Sequence, residues 1–515
     1  MSLLNDKVVR GFVEKIKGKL NSLKPKIESA KKYINVSLMV LLVLSIAVGV
    51  YLVNRPKEIV VSNAYDTLEG TLLAVIVDDF DNNQSSTEYY IRLKDKRRLR
   101  LNVEGDFGVS PGSLVRVNTN QRSKSFNEYG LFVESDQVEV LSDVGTAVSS
   151  EGVIGDRRVA IILMNFSDTN NDTPSVQEAS TNFFNRVEPY YKENSFGKLK
   201  VLGDAYGWYT FPDLDPTCTF SCMTQIAIDL ADSDINYDLY DQIIVSYHSH
   251  AGGQSNSSTV GAWWDWDTDE GVKSFPVAHI GATTLSDAVD PGLNRNLANT
   301  INHELGHSFG VWHANGFDCE EVSFILDGCD SYPYADFYEV MGESNTANLI
   351  AHFGGYHKEL FGWFDETNIQ NVVTSGTYEI YPIEIQTDGP QILKIQWGIG
   401  EWFYLENRIN YGYDANLPAA AVEGLIIRSA PTLLSSGDTH LLDSTPNPND
   451  YFWDFMDAGW AYGTTFWNQY HQFGIKPLWK KNNVLSVQID FLNLESASPV
   501  PIIASPSPSK TPRVR

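Results

Sequence analysis

Basic residues are scarce in this 515-residue chain: 38 Lys and Arg stand against 65 Asp and Glu, leaving a formal charge of −27. Phosphate recognition needs a basic face, so nucleic acid is excluded as a partner. Even this small basic complement is uneven, with 11 Lys/Arg and only 3 Asp/Glu in the first 57 residues. Cysteine is scarcer still, limited to Cys218, Cys222, Cys319 and Cys329. Their spacings match no common zinc module. Outside the cytoplasm, pairing within each local couple (218–222 and 319–329) is expected, although four cysteines allow three connectivities. Carboxylates abound, yet none follows the EF-hand spacing. The acidic loops 78–83 and 167–172 read as solvated loops, with Ca2+ binding as the alternative.

Charge is also missing from residues 34–53, where only Asn35, Ser37, Ser45 and Gly49 interrupt the apolar side chains. Twenty residues at about 1.5 Å each would cross a hydrocarbon core of about 30 Å. A cleavable signal peptide would have a shorter apolar region and a small-x-small site, and Tyr51-Leu-Val-Asn-Arg-Pro56 offers none. Lys15, Lys17, Lys19, Lys24, Lys26, Lys31 and Lys32 precede the run. The expectation is therefore a transmembrane signal anchor, with 1–33 cytoplasmic and the rest of a single-pass cell-membrane protein facing outward.

Beyond the run, 58–143 alternates strand-like segments with turns, as in a small β-barrel of the oligonucleotide/oligosaccharide-binding type. That architecture names no ligand. The small polar stretch 144–153 reads as an exposed linker, where cleavage would release the remainder as a soluble protein. A new domain, 154–365, opens with the nearly continuous apolar run 158–166, as in a strand covered on both faces. Residues 175–195 have helical periodicity with Phe183, Phe184, Val187 and Tyr190 or Tyr191 on one stripe. The pattern predicts an α/β (α+β) domain with a mixed sheet. A β-rich region follows at 366–495, either a third domain or an extension of the second. The Ser/Pro-rich tail 496–515 has a disordered composition.

Within the third segment lies the stretch that carries chemistry, H-E-x-x-H-x-x-G-x-x-H over 303–313. On a helix, His303 and His307 stand one above the other and can offer imidazoles to one metal. Gly310 can take a positive φ, end the helix and turn His313 toward the same ion. Three histidines leave one tetrahedral position open, as expected of catalytic Zn2+. Glu304, beside the first ligand, is placed to act as general base on an attacking water. The alternative is a surface helix with three solvated histidines.

The stretch His303-Glu-Leu-Gly-His-Ser-Phe-Gly-Val-Trp-His313, with Met341-Gly342 downstream, resembles the metzincin metalloproteases. In that clan a methionine turn floors the zinc histidines, which implies such a role for Met341. Tyr190-Tyr-Lys-Glu-Asn-Ser-Phe-Gly-Lys-Leu199, Tyr338-Glu-Val-Met-Gly342, Lys358-Glu-Leu-Phe-Gly-Trp363 and Tyr404-Leu-Glu-Asn-Arg408 are similar to stretches of the gametolysin and immune-inhibitor-A-like secreted peptidases. So are Gly412-Tyr-Asp414 and Leu441-Leu-Asp-Ser-Thr-Pro446. The resemblance spans about 155–492 and implies a zinc endopeptidase acting on proteins or peptides.

Two departures stand out. Where some metzincins carry a zinc-side tyrosine two residues past the methionine, this chain has Glu343. Tyr332, Tyr334 and Tyr338 are then the candidates for oxyanion stabilisation. No cysteine precedes Cys218, so the propeptide-cysteine silencing of matrix-protease relatives is absent. The competing reading is a cell-surface adhesin or binding protein with a non-catalytic metal site.

Overall fold

The sequence-wide alternation of apolar and polar residues in 67–118 resolves into strands in a computed structural model. It describes residues 67–492 apart from 81, 83, 105–107, 119–130, 135–136, 146–147, 149–150, 169–170, 215–217, 249–255, 286–292, 320–328, 343–349, 434–436, 448–452 and 469–471. Residues 14–19 and 21 are described as well. The first six strands are β1 (Thr67–Asp79), β2 (Gln84–Leu93), β3 (Arg98–Glu104), β4 (Leu114–Asn118), β5 (Leu131–Glu134) and β6 (Val138–Ser142). β1 is 13 residues long and belongs to two neighbourhoods at once. Its first half pairs antiparallel with β4, through Thr67–Thr71, while β2 runs along its other side. Its second half, Val75–Asp78, pairs antiparallel with Asn256–Thr259 of the following segment.

That following segment is a parallel core extended on one side by antiparallel strands. β7 (Gly155–Asn165) lies between β8 (Leu199–Thr210) and β9 (Gln242–Tyr247), parallel to both. β10 (Asn256–Thr259), the hairpin β11 (Asp265–Thr268) and β12 (Gly271–Ser274), and β13 (Val277–Gly281) follow. β13 runs parallel to β9 and antiparallel to β10. Because side chains alternate across a strand, β7 feeds two cores. Val159, Ile161 and Leu163 pack beneath helix α1 (Val176–Asn194), whereas Ala160, Ile162 and Met164 pack with helix α2 (Phe220–Ala231). α1 begins at Ser175, which accepts from the Glu178 amide while Glu178 reaches back to the Ser175 amide. This reciprocal cap satisfies two donors that a helix end leaves open. Helix α3 (Leu293–Ser308), which carries the histidine motif, shares the α1 face through Ile301 and Leu305.

β1 obeys the same alternation. Leu73 and Val75 join the α2-side core, while Ala74 and Ile76 face the other way with Val260 and Trp312. Asp78, two residues beyond Ile76, therefore falls on the side of the histidine helix.

β14 (Ala314–Asp318) follows His313 directly and pairs with β15 (Asp330–Tyr332). The C-terminal half supplies β16 (Ile369–Asn371), β17 (Gly376–Ile380), β18 (Ile392–Gly398), β19 (Glu401–Glu406), β20 (Ile426–Pro431), β21 (Thr439–Leu442), β22 (Phe466–Asn468), β23 (Phe473–Lys481) and β24 (Val484–Phe491). A seven-stranded sheet runs β15-β14-β21-β20-β19-β18-β16, and β17-β24-β23-β22 form another. β14 thus ties the histidine segment into the C-terminal sheet, and Asp66–Arg515 is one compact unit.

Three expectations are corrected here. The fold is sheet-rich with several sheets, not an α/β domain preceded by a separate small barrel. The β1–β6 strands belong to one 11-stranded sheet with β7–β10 and β13. Period-two alternation identifies a strand but not the sheet it joins, which is why β1 read as part of a self-contained unit. Among the described residues no helix is long and apolar enough to cross a membrane, and residues 34–53 lie outside them. No described helix supports the expected transmembrane anchor, which is dropped together with the cell-membrane location inferred from it.

Candidate metal centre

Helix α3 places His303 and His307 one turn apart on its buried side. The helix stops at Ser308, and Gly310 takes φ 103°, a conformation open to glycine without a Cβ penalty. Its amide bonds the His307 carbonyl at 2.8 Å. The reversed chain then carries His313 to the same point. The His313 carbonyl accepts from the Thr439 amide at 2.9 Å and its own amide donates to Asp438 at 3.1 Å. All three imidazoles are buried.

The fourth member is Asp78, at the end of β1. Its Oδ2 lies 3.2 Å from His307 Nε2 and 3.4 Å from His303 Nε2, and its Oδ1 lies 3.1 Å from His313 Nε2. One donor atom from each of the four residues falls within 4.8 Å of the others, the arrangement of a metal site. Burial alone would raise the Asp78 carboxyl, but the imidazoles against it outweigh that and hold it well below the usual range. Asp78 opens the acidic loop 78–83 that the sequence reads as solvated, with Ca2+ binding as the alternative. Its carboxylate instead faces imidazoles, which suit zinc rather than calcium.

The tautomers test whether a cation fits. His303 Nδ1 faces the Val340 carbonyl at 2.9 Å, and His307 Nδ1 faces that of Val311 at 2.8 Å. A carbonyl only accepts, so both Nδ1 atoms carry hydrogen and both Nε2 atoms point a lone pair inward. Burial pushes both imidazoles below their ordinary pKa, against protonation at Nε2. The two Nε2 atoms nevertheless approach to 3.1 Å with the Asp78 carboxylate beside them. Acceptors converging on acceptors in a buried place call for a cation among them. Three imidazoles and one carboxylate are a donor set that zinc accepts, and the Nδ1–carbonyl bonds orient His303 and His307.

Glu304 sits beside this cluster, fully buried, with neither carboxylate oxygen bonded. Burial, then the Asp78 charge, pushes its carboxyl well above the usual range. Met341 is buried against the helix: a Cβ built on Gly306 would collide with its Sδ. Its carbonyl accepts from the Ala314 amide at 2.9 Å, which ties the 341 turn to the residue after His313.

Of the three candidate tyrosines, only Tyr334 reaches the centre. Its ring is centred 4.6 Å from that of His313, and its hydroxyl donates to Asp78 Oδ1. It holds φ 59°, unusual for a bulky residue, with its amide bonded to Asn315 Oδ1 at 2.9 Å. Asn315 in turn donates to Asp438, the residue that also holds the His313 amide. Tyr338 instead bonds the Met456 carbonyl at 2.9 Å, and Tyr332 packs against Phe455. Glu343 lies outside the described residues. The cysteines pair 218–222 and 319–329.

Sequence reasoning missed Asp78 as a member of the site. Its only local signal was an acidic loop, and nothing local says which way a loop carboxylate turns.

No protein-family model matches this chain, and no curated protein matches it either. Among solved structures, an archaemetzincin from Methanopyrus kandleri is 15% identical over 40% of this chain and 94% of that chain, with a TM-score of 0.21. A chaperone–substrate complex is 13% identical over 50% of this chain and 34% of its own, with a TM-score of 0.19. Superpositions this loose carry no argument. The metal-compatible Asp/His cluster stands on its own geometry.

Proposed function

We propose that this chain is a zinc-dependent endopeptidase acting on proteins or peptides, of the metzincin kind that its 303–313 stretch resembles. One observation carries the reading. A buried carboxylate without a hydrogen-bond partner, Glu304, stands next to three imidazoles gathered at one point, two of which turn lone pairs toward it. A site evolved only to hold an ion has no use for such a carboxylate, whose desolvation costs several kcal/mol if it stays ionised.

His303, His307 and His313 would hold the ion. A zinc ion held there would supply Lewis acidity toward water and toward a peptide carbonyl. Glu304, ionised once a cation sits beside it, would accept the proton of an attacking water and pass it to the leaving amine. The Tyr334 hydroxyl, now on Asp78, donates to the oxyanion of the tetrahedral intermediate. Met341, packed on Gly306, keeps the helix from shifting beneath its ligands. The two disulfides suit an oxidising compartment.

The second reading, a binding protein with a non-catalytic metal, is favoured by Asp78 itself, since four protein ligands close a structural site. The test is casein digestion with and without chelator, on the wild-type chain and on Asp78→Ala, with metal content measured in parallel. Chelator-sensitive cleavage by either chain supports the peptidase. Metal in both chains and cleavage by neither overturns it.

A further inference from the structure

We propose that β1 is a built-in inhibitory strand, and that Asp78 occupies the position a substrate carbonyl or attacking water must take. The inference rests on the peptidase reading for what is inhibited, but the occlusion itself rests on geometry alone.

Four observations converge. Asp78 is the only non-histidine member of the cluster among the described residues, and its carboxylate touches all three imidazoles. Three histidines leave one position of a tetrahedral ion open, and a carboxylate at that point fills it. Tyr334 donates to the same carboxylate, so Asp78 has taken the hydrogen bond available to an oxyanion as well. Finally, Glu304 bonds nothing although it adjoins the centre, as expected when the group it should act on has been displaced.

The delivery of Asp78 is built into the strand. Val75, Ile76, Val77 and Asp78 pair in register with Thr259, Ser258, Ser257 and Asn256 of β10. β1 thereby also covers the edge of β10 opposite β13, whose backbone could otherwise pair with an extended peptide. The strand is held on both faces, with Leu73 and Val75 in the α2-side core and Ala74 and Ile76 against Val260. Phe80, just past the strand, sets its ring edge-on to His303 at 5.1 Å. A free carboxylate is a weak competitor for zinc. One tethered by a folded strand meets the site at an effective concentration in the millimolar range or higher and raises occupancy by about 10²–10⁴.

The alternative is that Asp78 is a permanent fourth ligand, without which the metal is lost. The two differ in what removal of the carboxylate does. The experiment loads wild-type, Asp78→Ala and Asp78→Asn chains with Co2+ and titrates each with acetohydroxamate, following the visible spectrum. Metal stoichiometry is measured alongside. Asp78→Asn keeps the side chain's shape, so it answers the question even if the alanine variant folds poorly.

The expected result is one Co2+ per chain in all three. Acetohydroxamate should perturb both variants at concentrations at least about 100-fold below those needed for wild type. Loss of metal from the variants overturns the proposal in favour of a structural ligand. Equal acetohydroxamate affinity in all three chains overturns it too, as does an Asp78→Asn chain as resistant as wild type. If the variants bind acetohydroxamate yet cleave no peptide, the occlusion stands and the peptidase reading fails. The two ideas are thus separable in one set of proteins.

Discussion

Tyr334 donates its hydroxyl to the carboxylate of Asp78 across 256 positions of sequence. Burial, then the Asp78 charge, pushes the phenol well above its ordinary pKa, so it stays a donor throughout the working pH range. Tyr334→Phe in an Asp78→Ala background should therefore lower kcat about 10²-fold with little change in KM or metal content. Steady-state kinetics on a quenched peptide checks this. An unchanged kcat would remove Tyr334 from the mechanism.

Glu304→Gln keeps the helix and its three histidines but removes the carboxylate proposed as base. The variant should bind one zinc per chain and lose activity by about 10²–10⁴. Metal analysis beside a peptide assay decides the matter, and full activity would end the proposed proton route.

Gly306→Ala sets two effects against each other. Alanine favours a helix by about 1 kcal/mol over glycine. Here, however, the new Cβ would overlap Met341 Sδ, and Met341 is itself buried in the core, so its side chain must shift against packed neighbours. Overpacking costs about 1–3 kcal/mol, so the clash wins. A lower melting temperature and about tenfold weaker zinc binding are expected. A more stable variant with unaltered affinity would show that Met341 does not brace the helix.

His279 reports on acid stability away from the metal. Thr224 gives its hydroxyl hydrogen to the Phe220 carbonyl, so its oxygen accepts from His279 Nε2 at 2.8 Å. Burial lowers this imidazole from 6.5 to about 3. The unfolded chain therefore binds a proton that the folded chain refuses between those values. Stability is then fully present above pH 6.5 and is lost as pH falls, at up to about 1.4 kcal/mol per unit. His279→Gln should flatten that part of the denaturation profile. An identical acid slope in both proteins would refute the assignment.

Arg428 lies behind the site on β20. It meets Asp336 at 2.5 and 3.1 Å and Glu406 of β19 at 2.5 Å, all fully buried. Asp336 and Glu339 belong to the turn that carries Val340 and Met341, so this ion network joins that turn to the C-terminal sheet. Arg428→Met would leave the buried Asp336 carboxylate without its cation and should destabilise the protein by about 3–5 kcal/mol. Chemical denaturation measures it. A loss under about 1 kcal/mol would mean the network is not needed to hold the turn.

The legible part of this protein was the part with short-range causes. His303 and His307 were readable as co-ligands because a helix repeats every 3.6 residues, and Gly310 as a turn because only glycine reaches its φ cheaply. α1 was readable from its apolar stripe, which the structure buries at Phe183, Val187, Tyr190 and Tyr191. Val148 and Val153, inside the expected exposed linker, are buried in the core beneath α1.

The sequence by itself determined that three imidazoles, with Glu304 beside the first, could meet at one ion, since a helix and one glycine turn need no distant partner. Tertiary structure alone decided what meets them there. Asp78 arrives through the pairing of β1 with β10, and a one-residue slip would turn it to the opposite face. Tyr334, rather than Tyr332 or Tyr338, arrives because Asn315 and Asp438 hold its backbone in place. Register and long-range hydrogen bonds are properties of the assembled sheets. They place in one site residues whose local sequence carries no sign of each other.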